Sequence, residues 1–507
     1  MKNKIYLLLG FFCLLLMSCY KDKGNYDYTE LPEVSIENIK DSYSIAQLDT
    51  LVLSPEIITE DNLYNDDDWY YIWRIYPKEN SIDTIGQERI LSYYFKEDPG
   101  VYHIYFTAIN KQTELKYSQD IEINLAGVYM DSWMVLYEKN GECDFDLLND
   151  RFFTKYDQNK DIYYKGVYKM IHGNAFPGKP VKIAPYYYPY TQYNYIFSDQ
   201  GGERLSVTSM ETLQDMSNFL LGGKGLPFKG YCFTYKTSGL SGIEILFAGE
   251  RIFMSTRGTG SQDGFTEPIC RNGLTYRAAP FAARRVRFPM GTAFYDEEHC
   301  RFLEVSGSGN TFVIQEIADT PDNKFSLNNM DATMVFMDNG FNQNEYAVMR
   351  NRTTGIYSLY ALSFYNANRY AEAKYEMTQC PDIEHAISYA VGSRAEVFYY
   401  ATPDNVYLYD YKVNNKADIC IHNLNLSAEE EITCLRIFRP NEYYAMEHKY
   451  DNKVLFVATY NSNTDKGKIY MYYINESNGN VDENSIKTIE VEGKIKDMAY
   501  HYGVYGS

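Results

Sequence analysis

The chain of 507 residues is poor in tryptophan, with 3, and in positive charge, with 48 lysines and arginines against 68 aspartates and glutamates. The resulting net charge of −20 repels a phosphate backbone, so nucleic acid is excluded as a partner. After the first twenty residues no apolar run reaches the length of about 18 that a membrane-spanning helix needs. Motifs for common chemistries are missing as well. There is no GxSxG elbow, HExxH or CxxC, and the 7 histidines stand apart from one another. Asp157 to Asp161 opens like a calcium loop, but Ile162 and Tyr168 stand where glycine and glutamate are required. Gly258-Thr259-Gly260-Ser261 does not join a strand to a helix, so it is no phosphate cradle. The sequence therefore specifies no cofactor, no metal site and no catalytic residue, and it reads as a non-enzyme.

What the chain has in plenty is tyrosine, 52 of them, within an apolar fraction of 45%. Tyrosine suits half-buried pleated surfaces, so this composition points to strands. The chain starts with Lys2 and Lys4, an apolar run from Ile5 to Leu16, and Leu16-Met17-Ser18-Cys19. The run is too short to span a bilayer and reads as a cleaved leader. Leu-Met-Ser-Cys resembles the bacterial lipobox, which makes Cys19 the lipidation site and residues 1–18 the signal peptide. The acyl chains at Cys19 then hold the protein to a membrane, each buried methylene contributing about 0.8 kcal/mol. Residues 19–30 form a polar tether. The seven cysteines beyond it lie within alternating apolar strings, as in Tyr231-Cys232-Phe233, which favours buried thiols; a Cys420–Cys434 disulfide is the alternative.

From 31 to 126 short alternating strings separated by turn signals predict a small β-sandwich, with Trp73 central in the strand Tyr70 to Tyr76. From 127 to 507 a repeat emerges. Strands open near Glu142, Arg204, Ile252, Phe302, Ile356, Val406 and Ile469, at intervals close to fifty residues. Seven such units predict a β-propeller of about seven blades, in which radial repetition protects the sheet edges. The string Lys494 to Tyr500 has no later partner and is expected to complete the first blade beside Trp133 to Tyr137. Leu213, Met216 and Leu220 recur at helical spacing ahead of Gly222-Gly223, predicting a short amphipathic helix. The fold class is thus all-β, a sandwich followed by a propeller.

Gly100-Val101-Tyr102 entering a strand, with Trp73 two strands earlier, resembles the immunoglobulin-like PKD domain. Together with the tether Cys19-Tyr20-Lys21-Asp22-Lys23-Gly24-Asn25-Tyr26-Asp27-Tyr28, the chain is similar to the PKD-like lipoproteins of the Bacteroidota. That resemblance implies an outer-membrane lipoprotein facing the cell exterior, accessory to a TonB-dependent transporter and its lid lipoprotein, the SusC/SusD arrangement of nutrient uptake. It supplies no catalytic residues. A glycan or oligopeptide is the expected ligand, and two groups of side chains are candidates to bind it. Tyr186, Tyr187, Tyr188 and Tyr190 form a proline-flanked cluster whose phenols suit stacking and hydrogen bonding. Arg284, Arg285 and Arg287 make the only dense basic cluster, suited to ligand carboxylates or, alternatively, paired with nearby acids. Two other functions remain open: a docking subunit of the transporter with no ligand of its own, and a propeller-type glycoside hydrolase or lyase using paired acids.

Overall fold

The computed structural model describes residues 33–60, 64–76, 82–97, 99–129, 131–154, 161–188, 191–220, 222–234, 243–255, 264–270, 275–286, 291–308, 311–365, 370–440 and 448–501. The signal peptide, Cys19 and the tether lie outside them.

In the N-terminal part, Trp69–Tyr76 alternates buried and exposed side chains, as a strand with one face on a core must. It pairs antiparallel with Gly100–Asn110 in a five-stranded sheet with Ser42–Ala46, Lys116–Ala126 and Asp83–Gly86. Two short ladders, Val34–Glu37 with Glu56–Thr59 and Thr50–Leu53 with Leu91–Tyr94, complete the β-structure there. Trp73 is fully buried, packs 4.5 Å from the Phe106 ring, and donates its indole N–H to Glu88 O at 2.8 Å. The central tryptophan expected from the sequence is in place.

Among the described residues, the chain from Ser132 to His501 forms seven antiparallel sheets in succession. Six are built from consecutive strands; the first is not. Blade 1 runs, from inside outward, Lys494–His501, Ser132–Lys139, Glu142–Asn149 and Ile162–Tyr164. The C-terminal strand pairs with Ser132–Lys139 from Ser132 opposite His501 to Glu138 opposite Lys494, so both ends of the repeat region meet in one sheet. The inner strands of blades 2 to 7 are Pro180–Tyr188, Phe228–Phe233, Ala278–Ala282, Ala332–Asn339, Ser388–Val391 and Glu430–Ile437. Each inner strand contacts the next, and Glu430–Ile437 contacts Lys494–His501, which closes the circle. Every repeat string found in the sequence is the third strand of its blade, from Glu142–Asn149 in blade 1 to Lys466–Tyr473 in blade 7.

Each blade is covered on both faces by its neighbours, so its middle strands are buried throughout, as in Gly291–Asp296. One apolar core fills each of the seven interfaces between blades. At the closing interface Trp133 stands 4.3 Å from Phe456, 5.4 Å from Phe438 and 5.6 Å from Tyr500. Tyrosine supplies much of this filling because its ring packs while its hydroxyl finds a partner across the gap. Tyr295 of blade 4 donates to Ala332 O of blade 5 at 2.7 Å, and Tyr195 of blade 2 to Glu244 of blade 3 at 2.6 Å. The tyrosine excess is therefore largely the material of the blade interfaces.

The expected helix is shorter than its periodicity. Asp215 accepts the Asn218 N–H at 3.1 Å and caps a helix of four residues, Met216–Phe219. Leu213 lies in the preceding strand and is exposed. A second helix, Val167–His172, begins where Asp144 accepts the N–H groups of Tyr168 at 2.9 Å and Lys169 at 3.3 Å. That cap comes from blade 1, so local sequence gives little sign of it.

Candidate binding channel

The seven inner strands surround a channel of about 470 Å³, within the size range of ligand pockets. All seven blades line it. Its wall carries six cations, Lys182, Lys229, Arg284, Arg436, Arg439 and Lys496, against two carboxylates, Asp338 and Asp497. A positive channel in a chain of net charge −20 is a local reversal of sign. Low-dielectric walls focus such a field on whatever enters.

Both carboxylates tie blades together. Asp497 of blade 1 accepts the Ile183 N–H of blade 2 at 3.1 Å and pairs with Arg436 of blade 7, while Lys182 stands 4.0 Å away. Burial alone would raise its carboxyl, but Arg436 and Lys182 hold it below the usual range. Asp338 of blade 5 pairs with Arg284 at 3.0 Å and with Arg439 at 3.5 Å, and Arg439 also donates to Asn339 O at 2.9 Å and to Val391 O of blade 6. Against the effect of burial, Arg284 and Arg439 keep Asp338 low as well. Just outside the wall, Glu345 accepts the N–H groups of Arg284 at 2.9 Å and Arg285 at 2.8 Å. Burial nevertheless pushes its carboxyl up to about 8.

The structure separates the residues singled out in the sequence. Arg284 reaches the channel but is held by Asp338, with its guanidinium 5.3 Å from the Phe233 ring. Arg285 contributes its backbone N–H to Glu345, and Arg287 lies outside the described residues. The tyrosine cluster is a hairpin between two strands of blade 2, with Tyr186 opposite Tyr193 and Tyr188 opposite Thr191. Tyr186 is fully buried against Phe233 in the interface of blades 2 and 3, so it does not face solvent as expected; its position on the inner strand points it into the neighbouring blade. The side chains of Tyr187 and Tyr188 lie outside the described set, as does Tyr190. Lys182, Lys229 and Lys496 were missed, since isolated lysines carry no motif and only ring closure assembles them.

Other reactive groups are occupied. Cys143, Cys232, Cys270, Cys300, Cys380, Cys420 and Cys434 are free thiols, so Cys420 and Cys434 are not bridged. Burial pushes the Cys232 thiol, which lines the channel, up to about 12. His448 hydrogen-bonds Phe153 O at 3.0 Å and His501 hydrogen-bonds Val207 O at 3.1 Å, both as structural contacts. Asp296, Glu298 and His299 cluster within 4.8 Å, but Asp296 already receives His299 at 2.8 Å, Arg301 at 3.2 Å and the Arg277 and Glu298 N–H groups at 3.0 Å each. That carboxylate has no capacity left for a cation.

Residues 19–180 match the PKD-like family, a span that covers the sandwich and continues through the outer three strands of blade 1. No curated protein matches the chain. Among solved structures, a quinonprotein alcohol dehydrogenase-like protein from Bacteroides thetaiotaomicron is 12% identical, with 93% of this chain and 100% of that chain covered at a TM-score of 0.39. The dihydro-heme d1 dehydrogenase NirN in complex with DHE is 8% identical over 85% of this chain and 75% of that one, at a TM-score of 0.35. The extracellular domain of a B. thetaiotaomicron one component system is 8% identical over 89% and 69% respectively, at 0.33.

Proposed function

We propose that the chain is a lipid-anchored protein of the outer membrane, facing the exterior, that binds a glycan or oligopeptide without transforming it and serves a SusC/SusD-type uptake system. The observation that carries this reading is the channel: a ligand-sized cavity at the axis of a closed ring, lined by charged and aromatic side chains. The PKD-like match over residues 19–180 fits a surface accessory role, and Cys19 supplies the anchor. Glycoside hydrolysis needs one of two acids kept protonated near neutral pH. Asp338 and Asp497, the two carboxylates of the channel wall, are both held low by arginines, and Glu345, whose carboxyl burial raises, is occupied by the backbone N–H groups of Arg284 and Arg285 outside the wall, which favours binding over hydrolysis. Affinity measurements on the lipid-free chain against panels of glycans and oligopeptides test the proposal; binding to neither panel, with the ring folded, refutes it.

A docking role is favoured by a separate observation. Val52, Tyr70, Ile82 and Ile90, all within the smaller N-terminal unit, are 49–60% exposed, apolar side chains that a protein partner would cover. Pull-down of the transporter from detergent-solubilised membranes, with and without residues 127–507, separates the two: docking through the N-terminal part survives that deletion.

A further inference from the structure

The wall of the channel is divided by chemistry. Lys496, Lys182 and Lys229 stand on the inner strands of blades 1, 2 and 3, three consecutive blades. Each is the second or third residue of its strand. Lys229 and Lys496 are exposed, and among the described residues neither has a carboxylate within ion-pair distance; Lys182 has only Asp497, which Arg436 already engages. The next three blades present half-buried rings, whereas the rings that blades 1 and 3 add to the lining, Trp133, Tyr500, Phe228, Tyr231 and Phe233, are buried. Phe281, Phe336 and Tyr389 line the channel from the inner strands of blades 4, 5 and 6. Phe336 stacks on Tyr389 at 5.2 Å and meets Phe281 edge-on at 5.9 Å. A bulge between Met334 and Phe336 shifts the register there, a device that re-aims side chains. One side of the wall is thus a lysine arc in which Lys229 and Lys496 have no ion pair among the described residues, and the other a half-buried aromatic arc.

We infer that the channel takes an acidic sugar, a uronate oligosaccharide of about two or three rings, with its carboxylates on the lysine arc and its C–H faces on the aromatic arc. This rests on the reading of the channel as the ligand site. A pyranose uronate carries a charged edge and a flat apolar face on one rigid ring, which is the pairing the wall presents. An acidic peptide sets its charges on flexible side chains with no flat face beside them, and it brings backbone amides for which an aromatic wall has no partners. Lysines suit this ligand as point charges, since they impose no bidentate geometry on carboxylates repeated along a chain.

Isothermal titration of the lipid-free full chain with trigalacturonate, maltotriose and triglutamate, at low and high salt, tests the inference. Trigalacturonate is expected to bind at least tenfold more tightly than either other probe and to weaken as salt rises. The triple variant Lys182→Gln, Lys229→Gln, Lys496→Gln should lose at least tenfold in affinity, the corresponding arginine triple should retain it, and Tyr389→Ala should lose severalfold. Equal binding of trigalacturonate and maltotriose, or tightest binding of triglutamate, overturns the acidic-sugar assignment while the channel still binds a ligand. Trigalacturonate binding that ignores both the lysine triple and Tyr389→Ala overturns it too. If none of the three probes binds, the inference falls, and the wider glycan and peptide panels decide the binding function separately.

Discussion

The channel wall holds two kinds of charge. Arg436, Arg284 and Arg439 are committed to Asp497 and Asp338, which link blades 7, 1 and 2 in one case and blades 4, 5 and 7 in the other. Among the described residues, Lys229 and Lys496 form no ion pair that ties blades together. A positive wall is therefore not one feature but two: a set of pairs that belongs to the ring, and an arc of lysines outside those pairs. Buried pairs contribute little net stability when both partners are present, yet removing one partner strands the other. Unpaired exposed lysines follow the opposite rule, because their loss costs the fold almost nothing. The two groups can be told apart by mutation.

The sharpest break is Asp497→Ala. It removes a buried carboxylate, leaving the half-buried Arg436 without its partner and the Ile183 N–H without its acceptor, at the blade where the first and last strands of the ring meet. A loss of about 3–5 kcal/mol is expected, measured as a lowered urea midpoint. Asp338→Ala should cost less, about 1–3 kcal/mol, because its side chain is 27% exposed and Arg439 keeps the carbonyls of Asn339 and Val391. Should the two variants rank the other way, ring closure is not where the paired charges matter most.

Glu345 sharpens the comparison further because it is a buried acid that, among the described residues, forms no side-chain ion pair. Its carboxyl is pushed from an ordinary 4.5 up to about 8. Between those values the unfolded chain has released a proton that the folded chain still holds, so stability falls as pH rises through this window. Below it the effect is absent. Glu345→Gln keeps an acceptor oxygen for the Arg284 and Arg285 N–H groups, and it should flatten the decline of the urea midpoint between pH 5 and pH 8. A wild-type midpoint that rises over that interval on account of Glu345 would contradict the assignment.

How much of this could be read in the sequence follows from what each strand touches. The third strands of the blades kept enough alternation to reveal the period, as at Val406–Asp410, and the unpartnered Lys494 to Tyr500 announced ring closure. The inner strands were harder to see: several are only four to six residues long, and they face a channel on one edge and a neighbouring strand on the other. Arg284 was visible as a member of a basic cluster, but its engagement with Asp338 depends on blade 5 lying beside blade 4. Tyr186 looked like a surface phenol because its prolines suggested a loop, whereas pairing with Tyr193 turns the segment into a hairpin and buries the ring. Composition could not locate the lysine arc, since its members are single residues in separate repeats that meet only around the axis.

The smallest expected effect on stability is the most informative about function. Lys229→Gln and Lys496→Gln remove exposed charges with no ion pair among the described residues, so each should move the unfolding free energy by no more than about 0.5 kcal/mol. If the arc existed to hold the ring, these changes would expose the repulsion or lost contacts they had balanced, and the urea midpoint would drop. If it exists to meet an anion, the midpoint stays while uronate affinity and its salt dependence decline together, each removed lysine flattening the slope of log affinity against log salt. Retaining both charges has a cost for a protein with no use for them, because like charges around one channel repel through a low-dielectric wall. Removal should then leave the fold as stable or slightly more so, and that sign, read beside the loss at Asp497→Ala, distinguishes a charge kept for a ligand from a charge kept for the ring.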